Sequence, residues 1–576
     1  MANWESKTVA DVTMRINDDY LVLPVIQRRL VWTEDKMELL FDTLLKGNSF
    51  GGIMVLEEEK GNNPLFEYRS FSKDGSDIKS MKHDTPLSHE QYFVIDGQQR
   101  LQTFYIGLTG SIHGKELFFN LNSDYENLEF DFRFSNELSK LPKEQKKNGE
   151  TRKTNIWYPI KKLFERSKKV RNRRQVTSEI INNLKFEDNL KGHVEANIEA
   201  FYEAVFNNPT IGVSKVIINS TLNEIDNKQR IVELFRRLND GGTRLSSYEL
   251  VASIFKGFNW EMEAFLEDLL QEYDNIGIGQ DELIKLIFIL QDNHRKEILN
   301  VSAADAEFAI KNKIRIKNTL SVVKRFLING KLYDYYRDSR RSVIPLYFVA
   351  YSIFHQDILD KDIISLFDKH DVKVGLFDEL KCWLYFSLIN GVFRSRGAGW
   401  IAYKTGIMKI LGIVKNFKNK DFPVEDIFNL YRSYLHFFVT NIAETDLDKL
   451  DQNFLFYLIY DRQRVVRNQD VDHIHPKNIL ENAKIEWDKI NSICNFQLLD
   501  SGTNQGEKNG KELNEWISNY IEDTGKYVEA HLIPYDSKLW DSSEFHEFLN
   551  QRSKLILKKI NSILPHVEEE NHSGEI

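Results

Sequence analysis

The segment "FVIDGQQRLQT" (residues 93–103) joins a strand to a helix and decides the fold of the N-terminal half. Its first three residues form the short apolar run of a buried strand. The residues that follow at the spacing of one helix face are Leu101, Phe104, Tyr105 and Leu108. Between strand and helix, residues 96–100 include no apolar side chain. Because Gln98, Gln99 and Arg100 fall off the apolar face, we do not expect burial to account for them.

Two interpretations of this junction are open. Asp96 and Gly97 are explained if Asp96 caps the helix, a contribution of about 1 kcal/mol. That account leaves out the two amides and the guanidinium. The first N–H groups of a helix can face an anion, and amides and a guanidinium beside them donate to phosphate oxygens. The Asp96 carboxylate could then hold a metal ion or a ribose hydroxyl.

The composition is that of a globular protein with several domains. The chain has 576 residues, 41% of them hydrophobic and 28% charged. Its two cysteines, Cys382 and Cys494, lie far apart, which excludes a disulfide scaffold and a multi-cysteine zinc site. We find no bilayer-spanning apolar run and no signal peptide, and we expect a cytoplasmic protein without a membrane partner.

One basic segment stands out against the net charge of −9. Residues 140–174 carry fourteen Lys or Arg and three Glu. This is either a solvated surface or one that follows a phosphate backbone, with Trp157 and Tyr158 available to stack on bases. The cations we assign to DNA binding are Lys161, Lys162, Lys168, Lys169, Arg171, Arg173 and Arg174.

The strongest chemical signal lies near the C-terminus. "VDHIHPKN" (471–478) and "NFQLL" (495–499) predict two strands, followed by a polar turn with Asn504 and a helix. The apolar face of that helix consists of Leu513, Trp516, Ile517 and Tyr520. A neutral imidazole can take a proton from water, and a carboxylate with a carboxamide suits a hydrated Mg²⁺ ion. This combination is suited to phosphodiester hydrolysis.

The C-terminal pattern resembles the HNH (ββα-metal) nucleases, in particular the GmrD-type domain of phage-defence proteins. The resemblance implies that His473 is the general base and that Asp472 and Asn504 hold Mg²⁺ or Mn²⁺. It also implies that Asn495 ties the loop and orients the base, and that Lys508 lies near the phosphate. His475 receives no fixed role: it could support a metal ligand or serve as a backup ligand, but we expect a histidine at the surface.

Three further blocks resemble the GmrS-type, ParB-like N-terminal domain. They are Gln27-Arg28 before a tryptophan, residues 96–100, and Phe235 to Asn239 with Arg237 between them. The resemblance implies that this domain binds or hydrolyses a nucleoside triphosphate. The residues it assigns to the nucleotide are Gln27, Arg28, Asp96, Gly97, Gln98, Gln99, Arg100, Arg237 and Asn239. No Walker-type phosphate loop is present in the sequence.

These patterns predict an α+β multidomain protein. We expect a ParB-like mixed α/β domain over residues 1–255, a largely helical middle over 256–440 and a ββα-metal (HNH) domain set among helices over 441–565. The acidic tail, 566–576, is expected to be disordered.

The resulting hypothesis is a nucleotide-regulated, metal-dependent endonuclease of the type IV restriction class. It would cut double-stranded DNA that is modified or of phage origin, and a homodimer could cut both strands. The alternatives are a nucleotide-switched, ParB-like DNA clamp with an inactive HNH fold, and a toxin that cleaves RNA or tRNA.

Overall fold

The chain folds into two compact units in a computed structural model. The model describes residues 4–27, 30–48, 51–75, 86–147, 150–169, 173–239, 247–259, 261–293, 301–337, 341–367, 374–394, 406–462, 469–500 and 502–566. Unit 1 comprises residues 1–264 and 299–307, and unit 2 comprises residues 265–298 and 308–576. The regions predicted as a helical middle and a C-terminal domain thus lie almost wholly in one unit.

The strands of the described residues fall mostly in unit 1. They are β1 Trp4–Lys7, β2 Leu21–Pro24, β3 Ile53–Glu58, β4 Tyr68–Arg69, β5 Gln91–Asp96, β6 Glu116–Asn120, β7 Phe132–Ser135, β8 Glu144–Lys147, β9 Glu150–Thr154, β10 Trp157–Pro159, β11 Ile211–Val216, β12 Gln469–His473 and β13 Phe496–Asp500. The main sheet has the order β1-β11-β3-β5-β2-β4, with β11 parallel to β3 and β2 parallel to β5. The strands β10-β6-β7 form a second sheet, and β8 pairs with β9.

Helices account for most of the remaining described chain. The α-helices of unit 1 and its border are α1 Val9–Asn17, α2 Glu34–Leu45, α3 Gln98–Thr109, α4 Ile160–Lys169, α5 Arg173–Asn183, α6 Lys191–Tyr202, α7 Glu224–Asn239, α8 Ser247–Phe258, α9 Glu261–Tyr273, α10 Gln280–Leu290 and α11 Ala303–Lys311. Those of unit 2 continue with α12 Lys313–Asn329, α13 Tyr333–Tyr336, α14 Ile344–Phe354, α15 Val374–Ile389, α16 Gly406–Val414, α17 Val424–Tyr434, α18 Gln452–Ile459, α19 Lys477–Asn482, α20 Trp487–Ile490, α21 Leu513–Tyr520, α22 Thr524–Ala530 and α23 Phe545–Asn561. Glu203–Asn207 and Thr503–Lys508 are π-helical. The short 3₁₀ helices are Leu138–Lys140, Asp188–Leu190, Asp274–Ile276, Asp360–Phe367, Lys415–Phe417, Glu444–Lys449, Ile493–Asn495, Ser537–Trp540 and Ser542–Glu544.

The prediction of an α+β multidomain protein is confirmed. Strand β5 is buried because it lies inside the main sheet, and alternate residues contribute to different cores. Val94 packs with Leu101 and Phe104 of α3 on one face. Phe93 and Ile95 pack on the other face, which is why the run is continuously apolar rather than alternating.

Two local predictions from the sequence need correction. Tyr520 lies on the predicted apolar face of α21 but is 47% exposed, and its ring stacks on that of Trp516 at 5.3 Å between centroids. Trp157 and Tyr158, expected to be available for stacking, are buried at the core. The Trp157 indole N–H donates to the Pro142 carbonyl at 2.8 Å, and Tyr158 belongs to the large core of unit 1.

No helix in the described ranges is both long and apolar enough to cross a bilayer. The predicted acidic tail lies, from residue 567 onward, outside the described residues.

Candidate active site in the C-terminal region

An antiparallel strand pair positions the predicted catalytic residues. β12 and β13 pair with Asp472 opposite Gln497 and His473 opposite Phe496. The chain then passes through the π-helical turn Thr503–Lys508 into α21. Ile474, directly after β12, packs with Leu513 and Trp516 of α21, which joins the helix to the strand pair.

His473 is half buried, with its ring edge-on to Phe496 at 4.8 Å between centroids. Burial lowers the pKa of His473 below its ordinary value, and the imidazole is therefore neutral at pH 7. Its Nε2 lies 3.2 Å from Asn491 Oδ1. The amide of Asn491 is oriented by a second bond, from its Nδ2 to the Trp487 carbonyl at 2.9 Å. Since Oδ1 can only accept, Nε2 carries the ring proton and Nδ1 is the basic nitrogen.

Asp472 lies at the end of a hydrogen-bonded chain of side chains. Its Oδ2 accepts from Gln497 Nε2 at 2.8 Å and from the ammonium of Lys508 at 2.5 Å. Gln497 Oε1 in turn accepts from the Tyr527 hydroxyl at 2.8 Å, and Tyr527 accepts from the indole N–H of Trp516 at 3.1 Å. These contacts fix one oxygen of the carboxylate toward the interior.

Lys508 is almost fully buried. Besides Asp472, its ammonium donates to the backbone carbonyl of His473. Burial lowers the pKa of Lys508, and the Asp472 carboxylate opposes that shift. The ammonium is therefore a cation held inside the site rather than one exposed to solvent.

Asn495 is buried and closes the loop that follows β12. Its Oδ1 accepts from the His475 N–H at 2.9 Å, and its Nδ2 donates to the carbonyls of Ile490 and His475 at 2.9 and 3.2 Å. Its own carbonyl accepts from the Ile474 N–H at 2.7 Å. One side chain thus ties together the segments before and after it, and holds the backbone next to His473.

The donor types at this end of the strand pair fit a hydrated divalent cation. Asn504 lies four residues before Lys508 in the same π-helical segment, and Lys508 contacts Asp472. One carboxylate and one carboxamide are the oxygen donors that Mg²⁺ uses while it keeps several waters. The described residues contain no cluster of three or more His, Cys, Asp or Glu that could hold a metal, so such an ion would depend on this smaller set.

The expectation that His475 lies at the surface is wrong. The side chain is fully buried against Phe548, at 4.4 Å between ring centroids, and Nδ1 lies 3.3 Å from Ser542 Oγ. Burial lowers its pKa to about 3. His475 faces the core under α23 because Asn495 turns the backbone inward at this residue.

Gln27 and Gln99 join the first two N-terminal blocks. Gln27 Nε2 donates to the carbonyls of Val94 and Ile95, at 2.8 and 2.6 Å, just before the junction in β5. Gln99 Oε1 accepts from the backbone N–H groups of Val31 and Trp32, at 2.9 and 3.3 Å. Both amides therefore fix the geometry of the junction. Arg28 lies outside the described residues.

The junction itself differs from the interpretation in which Asp96 caps α3. Asp96 is the last residue of β5, and the N-cap is Gly97, at a φ of +91°. A Cβ at Gly97 would lie 2.5 Å from Ile53 Cγ2, so only glycine fits there. Arg100 Nη2 lies 3.4 Å from Asp96 Oδ2.

Gln98 and Arg100 are more buried than the helical periodicity predicts. Gln98 is 5% exposed, and the Arg100 side chain is 19% exposed. The reason is a neighbour from a distant part of the chain: a Cβ at Gly51 would lie 2.5 Å from Arg100 Nη1, so the turn before β3 covers the guanidinium. The Asp96 side chain, by contrast, remains 49% exposed.

The third N-terminal block, residues 235–239, is connected to the other two by packing in a shared apolar core. Phe235 belongs to the same apolar cluster as Ile26 and Ile95, so α7 packs on the sheet beside the junction. Arg237 is 73% exposed and donates to Glu233 in its own helix at 2.8 Å. The side chain of Asn239 lies outside the described residues.

The basic segment forms β8 to β10 and the helices α4 and α5. Lys162, Lys168 and Arg174 are exposed, and Lys161 lies 3.8 Å from Glu116. The side chains of Lys169 and Arg173, and the whole of Arg171, lie outside the described residues.

Three residues of the candidate site were missed from the sequence: Gln497, Asn491 and Tyr527. Gln497 could have been found, because it stands opposite Asp472 once the two strands are paired at 473 and 496. Asn491 and Tyr527 carry no such signal, since they come from the loop between the strands and from a later helix.

Comparison with known proteins supports the N-terminal assignment. Residues 9–256 match the family described as "GmrSD restriction endonuclease, N-terminal domain". The chain is also similar to an uncharacterized protein of Methanocaldococcus jannaschii, with 23% identity over 623 aligned positions that cover 96% of this chain and 98% of the relative. Residues 9–256 therefore carry a domain of this N-terminal family, and the match supports the resemblance of the chain to GmrSD-like type IV restriction proteins.

Proposed function

We propose that this protein is a metal-dependent DNA endonuclease of the type IV, modification-dependent restriction class, active in anti-phage defence. Its N-terminal domain binds a nucleoside triphosphate and gates cleavage by the C-terminal region. The match of residues 9–256 to a restriction endonuclease family supports the biological role. The observation that carries the chemistry is the position of His473 beside Asp472 on β12, with the adjoining loop held by Asn495. Burial also lowers the pKa of His473.

His473 is the general base in this proposal. Its Nε2 proton is held by Asn491, so Nδ1 accepts a proton from the attacking water. A ring that is neutral at pH 7 is ready for this step without a prior loss of a proton. Phe496 and Asn491 keep the ring in one orientation, which lowers the entropic cost of the reaction.

Asp472 and Asn504 are the residues that would hold Mg²⁺ or Mn²⁺. When bound, such an ion would supply positive charge to offset the negative charge on the leaving oxygen. Gln497 and Lys508 orient the Asp472 carboxylate through one of its oxygens. The Lys508 ammonium also adds positive charge beside the phosphate position.

The nucleotide site of the N-terminal domain is centred on Asp96 and the first turn of α3. Gln27 and Gln99 hold the strand–helix junction in shape, as their bonds to the backbone of β5 and residues 31–32 indicate. Arg100, Gln98 and the first N–H groups of α3 would donate to the phosphate oxygens. Nucleotide binding there shifts the populations of a gated and an active state.

A second candidate is a nucleotide-switched DNA clamp whose nuclease site is inactive. The observation that favours it is the ion pair between Lys508 and Asp472, because a buried ammonium already neutralises the carboxylate assigned to the metal. Under this alternative, DNA binding depends on nucleotide while no bond is cut.

Cleavage of plasmid DNA and of modified phage DNA tests the nuclease. The reactions contain Mg²⁺ or EDTA, with and without each nucleoside triphosphate, and compare wild type with His473→Ala. The matched control is His546→Ala, since His546 is an exposed histidine of the same unit. Wild type and His546→Ala should cut and His473→Ala should not. Equal cutting by His473→Ala removes this residue from the mechanism, and binding without cutting under every nucleotide favours the clamp.

Nucleotide hydrolysis tests the gate separately. Asp96→Ala and Arg100→Ala should reduce turnover, whereas Arg133→Ala should not, because Arg133 is a half-exposed arginine paired with Glu38 and Asp131. Normal turnover in both junction variants would refute the N-terminal site while leaving the nuclease assignment standing.

A further inference from the structure

A cavity of about 590 Å³ lies next to the candidate nuclease site in unit 2. Two of its lining residues, Asn491 and Phe496, are the same two that contact the His473 ring. The side chains of Asn491 and Phe496 therefore separate the cavity from the proposed general base, His473. Its volume is within the usual range for small-molecule sites.

The lining of the cavity combines apolar, aromatic and polar side chains. Its apolar members besides Trp487 are Leu447, Leu450, Leu455, Ile493 and Phe496. Trp487, the first residue of α20, also lines the cavity and is 67% exposed, so its ring offers a large accessible apolar surface. An exposed indole next to apolar side chains can bind a flat aromatic group on its face.

The charges of the lining disfavour a phosphate. Three carboxylates and one guanidinium line the cavity, so its net charge is negative. Arg394 is already paired with Asp451 and also donates to the Leu450 carbonyl at 2.9 Å. Asp448 accepts from Ser492 Oγ and from the Ile493 N–H, at 2.9 and 2.7 Å. The guanidinium is thus already neutralised by Asp451, and the carboxylates of the lining repel an anion.

Two amide side chains remain for recognition. Gln452 and Asn453, at the start of α18, line the cavity and make no side-chain hydrogen bond within the described residues. Amides can both donate and accept, and so can match the polar edge of a heteroaromatic ring. Apolar side chains, an exposed indole, two amides and, among the described lining residues, a single cation that is already paired together suit an uncharged, planar, hydrogen-bonding group.

We propose that this cavity receives a nucleobase of the DNA strand, from a nucleotide next to the phosphodiester at His473. The phosphate stays outside with His473, while the base leaves the stack and packs on Trp487. The inference rests on the proposed function, since it assigns the base-binding part of the same site. A base already unpaired enters without the cost of opening the duplex, so a single strand is the suitable probe.

The test compares a fluorescein-labelled oligothymidine with an abasic strand of equal length and charge. Binding to the full-length protein is measured by fluorescence anisotropy in EDTA, so that no cleavage is needed. Wild type should bind oligothymidine about tenfold more tightly than the abasic strand, the effect of one stacked base. Trp487→Ala should lose most of the preference for oligothymidine without a change in binding of the abasic strand. Trp487→Phe should keep most of this preference. Tyr535→Ala is the matched control, because Tyr535 is an exposed aromatic residue of the same unit at 70% exposure.

A second variant separates the cavity from simple stacking on an exposed ring. Asn453→Ala should weaken oligothymidine binding about threefold and leave abasic binding unchanged. An unchanged ratio in Trp487→Ala, or no effect of Asn453→Ala, overturns the assignment. The failure of this inference can be told apart from the failure of the proposed function. If Trp487→Ala loses the preference for oligothymidine over the abasic strand while His473→Ala still cleaves DNA, the base-binding cavity is supported and the nuclease mechanism is refuted.

Discussion

Lys508 and Asp472 form a buried ion pair in which the ammonium nitrogen lies 2.5 Å from the carboxylate Oδ2. The two side chains are 2% and 12% exposed. They come from opposite ends of the strand–strand–turn segment, so the pair closes the candidate site.

Removing the ammonium should destabilise unit 2 strongly. Lys508→Met leaves the Asp472 carboxylate buried without its cation, and we expect a loss of about 3 kcal/mol in the free energy of unfolding. The double variant Asp472→Asn/Lys508→Met should lose less than Lys508→Met alone, because neither charge remains. Urea denaturation measures both. Lys526→Met serves as control, since the Lys526–Asp523 pair is exposed to solvent, which screens it, and its loss should change the free energy of unfolding far less. Equal losses in Lys508→Met and Lys526→Met would show that burial of the first pair has no energetic consequence.

Glu58 should make unit 1 less stable as the pH rises. Burial raises the pKa of this carboxyl to about 7 from its ordinary 4.5. The folded state therefore keeps a proton that the unfolded state has lost, and stability falls between about pH 4.5 and 7. Glu58→Gln should remove this dependence and be more stable than wild type at pH 8 by about 3 kcal/mol, since its carbonyl can still accept from the Leu65 N–H at 2.9 Å. Thermal unfolding across this pH range is the measurement. Glu59→Gln, at an exposed neighbour, should behave as wild type; a pH dependence that persists in Glu58→Gln would assign it to another group.

Gly97 should tolerate no side chain. Gly97 and Gly114 both have a positive φ, +91° and +77°, but a Cβ at Gly114 would meet nothing within 4 Å. Gly114→Ala should therefore cost only the backbone strain, about 1 kcal/mol. Gly97→Ala should cost a further 1–3 kcal/mol, roughly, because of the clash with Ile53. The difference in the midpoint of chemical denaturation measures this. If the two variants are equally stable, the close approach to Ile53 does not constrain the junction.

The exposed cations of α4 and α5 should contribute to DNA affinity through counterion release. Replacing Lys162, Lys168 and Arg174 with Gln should reduce the slope of log K against log [salt] by about 2.7 for duplex DNA. Replacing Lys526, Lys538 and Lys558, which are exposed in unit 2, is the control and should leave the slope unchanged. If the first triple variant has the same slope as wild type, the basic segment is a solvated surface that does not bind DNA.

The elements that sequence periodicity predicts well are those that local spacing decides. β5, α3 and α21 were expected at about their observed bounds, because a buried face imposes a repeat on the chain whatever its partner is. The order of strand, strand and helix around His473 could also be predicted from local sequence. Pro476 and the polar residues 501–510 interrupt the apolar runs and so mark where these elements end.

The residue types at 472, 473 and 504 were enough to predict two metal ligands and a general base. Long-range packing decided the environment of each of these groups. His475 is buried because Asn495, twenty residues away, binds its backbone, and Arg100 is covered because the turn at Gly51 passes over it. Lys508 meets Asp472, and Trp487 borders a cavity beside His473, through loops whose paths no repeat in the chain encodes. Desolvation and pairing of charged groups depend on which distant segments exclude water, and that exclusion exists only in the folded molecule.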